Sequence, residues 1–158
     1  NKDLMALHGP EILRKAAQQK CDVMYEASVA GGIPILRTLV DGLSADRITK
    51  IMGIVNGTTN YILSKMSQDG AEYDEVLQEA MRLGYAEADP TSDVEGLDAA
   101  YKMVILGTLG FRMNVTMEDA EVRGITHVTK EDILYGKRLG YEVKLLGIAE
   151  RQGDLGIR

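Results

Sequence analysis

Apolar positions along this chain change their period several times, and each change marks an expected element. Residues 1–20 read as helical with a break at Gly9-Pro10, after which Ile12, Leu13, Ala16 and Ala17 supply an inner face. Residues 21–28 (CDVMYEAS) read as a strand with Val23 and Tyr25 on one side. Paired glycines in Val29-Ala30-Gly31-Gly32-Ile33-Pro34 mark a turn. Pro34 suits the first position of a helix whose apolar side is Ile35, Leu36, Leu39 and Val40 and which stops near Gly42. Residues 47–56 (RITKIMGIVN) alternate and are β-branched, so a strand is expected there. It ends at Gly57-Thr58-Thr59-Asn60, and a helix follows through Ile62, Leu63 and Met66 to Gly70. A second amphipathic helix over 74–83 is ended by Gly84.

The stretch with the sharpest contrast is residues 83–111, LGYAEADPTSDVEGLDAAYKMVILGTLGF. Its first half crowds Glu87, Asp89, Asp93, Glu95 and Asp98, while Lys102 is the one charge in its apolar second half. Ser92 and Glu95 form an S-x-x-E pattern ahead of the apolar run, the mark of a capping box. Val94, Leu97, Tyr101, Val104, Ile105 and Thr108 then share one helical face, and Met103 and Leu106 on other sides predict a helix surrounded by protein. Beyond it, 112–116 turn the chain, 124–128 read as a short extended piece, and Thr129 caps a helix over 130–139 closed by Gly140. Residues 142–150 (EVKLLGIAE) read as a strand, with a hairpin partner beginning at 154–158. Helices and strands mixed without strict alternation predict a two-layer α+β fold with a mixed or mostly antiparallel sheet. A β-pair cut short leaves an open edge, so the chain is expected to end inside its domain or to pair with another subunit.

Composition narrows the possibilities. A chain of 158 residues, 45% hydrophobic and 27% charged, is expected to form one domain, 1–158, with a sizeable core. A net charge of −6 without a basic run argues against nucleic acid as a partner. No apolar run reaches bilayer-spanning length, so no membrane association is expected. No signal peptide is visible; the chain does not begin with Met and reads as an excised piece. Cys21 stands alone, which favours a cytoplasmic setting, and with His8 and His127 far apart a zinc site is not expected. None of the 17 glycines falls in a G-x-G, so the dinucleotide-binding fingerprint is missing.

Several residues invite chemistry, each beside a plainer reading. Asp98 and Lys102 have the spacing of a helical ion pair, worth only about 0.3–0.5 kcal/mol when exposed. Removing an ammonium from water costs several kcal/mol, far more than such a pair returns. A desolvated lysine moderated by a carboxylate is what a proton donor near neutral pH requires. The Gly57-Thr58 helix start offers N–H groups to an anion, or Thr58 or Thr59 only caps the helix. The Gly31-Gly32 turn brings carbonyls together that could hold a monovalent cation, or it is only a turn. Lys2 is read from the sequence as a surface charge.

The run LGYAEADPTSDVEGLDAAYK (83–102) resembles the signature of the homoserine dehydrogenases. EASVAGGIP (26–34), GIVNGTTNYIL (53–63) and the opening Asn1-Lys2 resemble further blocks of that family, so nearly the whole chain is covered. The resemblance implies NAD(P)H-dependent reduction of L-aspartate 4-semialdehyde to L-homoserine, on the route to threonine and methionine. It implies a substrate-binding and dimerisation domain like the carboxy-terminal domain of glyceraldehyde-3-phosphate dehydrogenases, following a Rossmann domain that this chain lacks. A homodimer or homotetramer is implied. Lys102 matches the family's proton donor and Asp98 the acid that positions substrate beside it. Glu87 and Asp93 match substrate-binding carboxylates, suited to an α-ammonium, and Gly57, Thr58 and Tyr85 match positions near the substrate. Lys2 and Gly84 match contacts to NADP or NAD. Glu26, Val29, Gly31 and Ile33 match the ligands of a structural sodium ion, the last three by main-chain oxygen. Ala88 stands where many relatives carry Pro, which should leave a slightly looser turn.

A different class competes: a dimerisation module that does not turn over without its nucleotide-binding domain. A thiol-acylating semialdehyde dehydrogenase would need a nucleophilic cysteine, and Cys21, with no His pattern near it, is a poor candidate.

Overall fold

The computed structural model describes residues 1–152 and 156–157. They form two compact units, each assembled from separated stretches: Asn1–Val55, Ala100–Glu121 and Gly147–Arg158 in the first, Asn56–Ala99 and Val122–Leu146 in the second.

The first unit opens with α1 (Lys2–Gln19), whose first turn is capped by the Asn1 side chain accepting from Leu4 N at 2.9 Å. The expected break at Gly9-Pro10 does not occur. Pro10 forfeits one backbone bond, yet the helix continues across it, with Met5, Ala6 and Gly9 of the same helix buried. Residues 21–28 are not a strand either. They end in a tight turn at Glu26–Ser28, where Ser28 Oγ donates to Tyr25 O at 2.7 Å. The Glu26 carboxylate accepts from the N–H groups of Leu36 and Arg37 at 2.8 and 2.9 Å, so it caps α2 (Ile35–Arg37) from a distance. Side-chain bonds, not a ladder, fix this segment. Pro34 precedes α2, and the helix widens at Thr38–Gly42 before Leu43 N bonds back to Thr38 O at 2.9 Å.

The sheet lies in this unit. Strand β1 (Lys50–Gly53) pairs antiparallel with β2 (Gly147–Gln152), which pairs antiparallel with β3 (Gly156–Ile157). The hairpin expected at the end of the chain is thus present at Gly156 and Ile157; Asp154, Leu155 and Arg158 lie outside the described residues. Both longer strands are shorter than their alternation predicts. Val143 and Leu145 explain one shortfall, since they pack into the helical core of the second unit instead of a ladder. Helix α6 (Leu97–Phe111) gives Met103, Val104, Ile105, Leu106 and Phe111 to the first unit's core, with Ala149 of the sheet. Gly147 makes that approach possible, because a Cβ there would lie 2.6 Å from Met103 Sδ.

The second unit is helical. α3 (Gly57–Asp69) and α4 (Tyr73–Leu83) bury Ile62, Leu63, Met66, Val76 and Ala80, and each ends on a left-handed glycine, Gly70 and Gly84. The expected Ser92–Glu95 capping box is absent. Ser92 lies inside a separate short helix, α5 (Thr91–Val94), and Gly96 at φ 85° divides it from α6. Capping boxes occur instead at Thr116/Asp119 and at Thr129/Asp132, the latter starting α7 (Lys130–Arg138). Residues 124–128 are a turn: Ile125, 2% exposed, bonds through its N–H to Val94 O at 2.7 Å rather than joining a strand. The whole is a helix-rich α+β fold with a small antiparallel sheet, as the sequence predicts.

Candidate active site

The second unit brings two carboxylates of the acidic stretch to one side chain. Asn56 is 5% exposed and caps α3: its Oδ1 accepts from the N–H and the hydroxyl of Thr59, both at 2.8 Å. The helix cap is therefore Asn56, not Thr58 or Thr59. The other end of the amide donates twice, to Asp93 Oδ1 at 2.6 Å and to Asp98 Oδ2 at 2.8 Å. Two carboxylates can only accept, so they fix which end of the Asn56 amide is the NH2. Asp98, 5% exposed, is thereby held at the first turn of α6.

Thr58 serves another purpose. Its hydroxyl donates to Tyr85 O at 2.7 Å, tying the first turn of α3 to the segment after α4. The Tyr85 ring is largely exposed and lies against Tyr61, with centroids 4.6 Å apart at 39°. Gly57 opens α3 and is exposed, Gly84 is the left-handed residue ending α4, and Glu87 is exposed between α4 and α5. Next to them, the hydroxyl and then the N–H of Thr91 hold the Asp89 carboxyl below the usual aspartate value. Sequence reasoning missed Asn56 and Thr59 as members of this group. An Asn directly ahead of a helix start was the available signal.

Lys102 belongs to the first unit, one turn along α6 from Asp98. It is half-buried, and its ammonium donates to Val55 O at 2.7 Å. A carbonyl directly ahead of Asn56 thus orients the one charged side chain in the apolar stretch of α6. Lys2, in the first turn of α1, is half-buried beside Asp3, with Nζ 3.7 Å from Oδ1.

The loop after Glu26 supplies only oxygen donors. Ala30 and Gly31 are both left-handed at φ 59°, Val29 is 1% exposed, and the Ile33 carbonyl accepts from Ile35 N at 2.8 Å. One carboxylate with main-chain carbonyls has the oxygen chemistry that hard cations take. Each Glu26 oxygen accepts one N–H and retains a lone pair for a cation.

Residues 34–158 match the family model described as homoserine dehydrogenase. A homoserine dehydrogenase of Bacillus subtilis is 66% identical over 154 residues, covering 98% of this chain and 36% of the relative. One from Synechocystis is 53% identical, covering 95% and 35%. Among solved structures, a homoserine dehydrogenase from Thiobacillus denitrificans superposes with a TM-score of 0.96 at 52% identity, covering 99% of this chain and 36% of that one. The chain spans about a third of the length of these relatives. With most of its length matched by the family model and its closely similar fold, the chain belongs to the homoserine dehydrogenase family.

Proposed function

We propose that this chain is the substrate-binding and catalytic part of an oxidoreductase that reduces L-aspartate 4-semialdehyde to L-homoserine in threonine and methionine biosynthesis. The observation that carries the reading is the half-buried Lys102 ammonium, oriented by Val55 O at 2.7 Å in an otherwise apolar stretch of helix. Lys102 protonates the aldehyde oxygen as the carbonyl carbon is reduced, and its charge favours the developing alkoxide. Asp93 and Glu87 hold the substrate's α-ammonium by charge-assisted bonds, Asp98 positions the substrate for protonation, and Gly57, Thr58 and Tyr85 shape the wall around it. NADPH or NADH supplies the hydride when bound. Lys2 and the Gly84 backbone are the parts of this chain assigned to that cofactor. Glu26, Val29, Gly31 and Ile33 hold a sodium ion that stiffens their loop without joining the chemistry.

Exchange of Lys102 for Ala in a full-length homoserine dehydrogenase carrying this chain tests the reading. Loss of a general acid predicts turnover lower by about 10²–10⁴-fold, with an unchanged melting temperature and unchanged NADPH affinity. Full turnover in that variant would remove Lys102 from the chemistry.

An assembly role is favoured by a second observation. On the outer face of the sheet Met52 (59% exposed) stands opposite Ile148 (46% exposed), beside the Lys50–Glu150 pair at 3.6 Å. An apolar cross-strand pair in solvent fits a face that a second subunit covers, and a homodimer or homotetramer is proposed on that ground. The exposed single thiol of Cys21 suits a reducing, cytoplasmic setting.

A further inference from the structure

We infer that Asn56 is a positioning residue for this reaction, an amide clamp that sets the spacing and orientation of the Asp93 and Asp98 carboxylates. The inference rests on the functional reading above, which places those carboxylates on the substrate. Its geometry is independent of that reading. Asp93 is in α5 and Asp98 in α6, with left-handed Gly96 between them, so no continuous helix fixes their relation. Two carboxylates brought this close repel one another unless a donor stands between them. Asn56 Nδ2 gives one hydrogen to each, at 2.6 and 2.8 Å.

The amide cannot swing. Its oxygen is engaged by both the N–H and the hydroxyl of Thr59 at 2.8 Å, and the side chain is 5% exposed. Thr59 is itself 0% exposed, so the α3 end of the clamp is as fixed as the core. A cap alone would need only the oxygen, which Ser or Asp supplies equally well. The clamp needs the NH2 as well. The two functions of this one side chain are therefore separable by substitution.

The test uses a full-length homoserine dehydrogenase carrying this chain, with Asn56→Ser and Asn56→Asp. Both retain an N-cap oxygen, and neither can donate to two carboxylates. Asn56→Ser should fold but melt below the parent, because two carboxylates lose their shared donor, and raise KM for aspartate semialdehyde about tenfold, the cost of lost charge-assisted bonds. Its KM for NADPH should stay within about twofold and its kcat should fall less than KM rises. Asn56→Asp, which adds a third carboxylate, should be impaired at least as much. The effect of Asn56→Ser should also shrink in an Asp93→Ala background, since a clamp acts only through what it holds.

An unchanged semialdehyde KM in Asn56→Ser, or equal losses for both substrates, would overturn the clamp. If Asn56→Ser does not fold, Asn56→Asp with full activity would overturn it, and a selective semialdehyde KM defect would support it. The Lys102→Ala variant separates the two failures. An inactive Lys102→Ala with an unaffected Asn56→Ser leaves the reaction standing and removes the clamp alone.

Discussion

At Gly124 there is no room for a methyl group. A Cβ there would lie 2.2 Å from Val94 O and 2.6 Å from Glu95 Cα, both backbone atoms that no rotamer change can move. Gly124→Ala should cost about 3 kcal/mol, the upper end of overpacking. Gly42→Ala, whose Cβ would meet only Thr38 Cγ2 at 3.9 Å, should leave the midpoint nearly unchanged. Thermal unfolding of the two variants side by side checks this, and equal midpoints would contradict the contact. The same scale shows how far single residues can be read from sequence. Asn56 ahead of Gly-Thr-Thr could have been read as a helix cap, but its bonds to Asp93 and Asp98 span 37 and 42 residues. Lys102 stood out because a charge in an apolar run is costly; that Val55 O receives it could not be read locally.

Among the elements, helices with unambiguous ends were legible nearly to the residue, whereas two strands and the terminal hairpin were legible in place but not in extent, and the strand expected over 21–28 does not form. α3, α4 and α7 start and stop nearly where caps and glycines predict, because caps act within one turn. α7 also carries a pH dependence. Backbone and then hydroxyl donation from Thr129 at 2.9 and 2.8 Å lowers the Asp132 carboxyl below its ordinary 3.8. A carboxyl lowered by folding stabilises the helix above its unfolded pKa and loses that contribution as pH falls through its folded pKa. The protection of the α7 amides, their exchange rate set against that of the unfolded chain at the same pH, should therefore fall in acid below the ordinary aspartate range. Thr129→Ala should cost about 1 kcal/mol at neutral pH. Protection in α7 that is insensitive to both changes would mean the box does not hold the helix. The strands fared differently: alternation over 47–56 and 142–150 reports burial on one side, and Val143 and Leu145 meet helices instead of a neighbouring strand.

At the scale of the whole molecule, the outer face of the sheet is where assembly is tested. Met52 and Ile148 are cross-strand partners on the outer face, so one charge there should weaken any subunit contact without entering the core. Ile148→Lys in a full-length homoserine dehydrogenase carrying this chain should shift sedimentation toward the monomer with the parent's melting behaviour; an unaltered distribution would place the interface elsewhere. Sequence alone determined the family, the α+β class, the buried α6 helix and its odd ammonium, because these rest on composition, local period and a long irregular motif. Tertiary structure decided that α1 runs through Pro10, that Glu26 caps α2, that the strands are short, and that one buried amide holds two carboxylates. The reason is the same in each case: these outcomes depend on partners distant in the chain, and local preferences, from a few tenths of a kcal/mol up to about 3 for a proline inside a helix, yield to what those partners contribute.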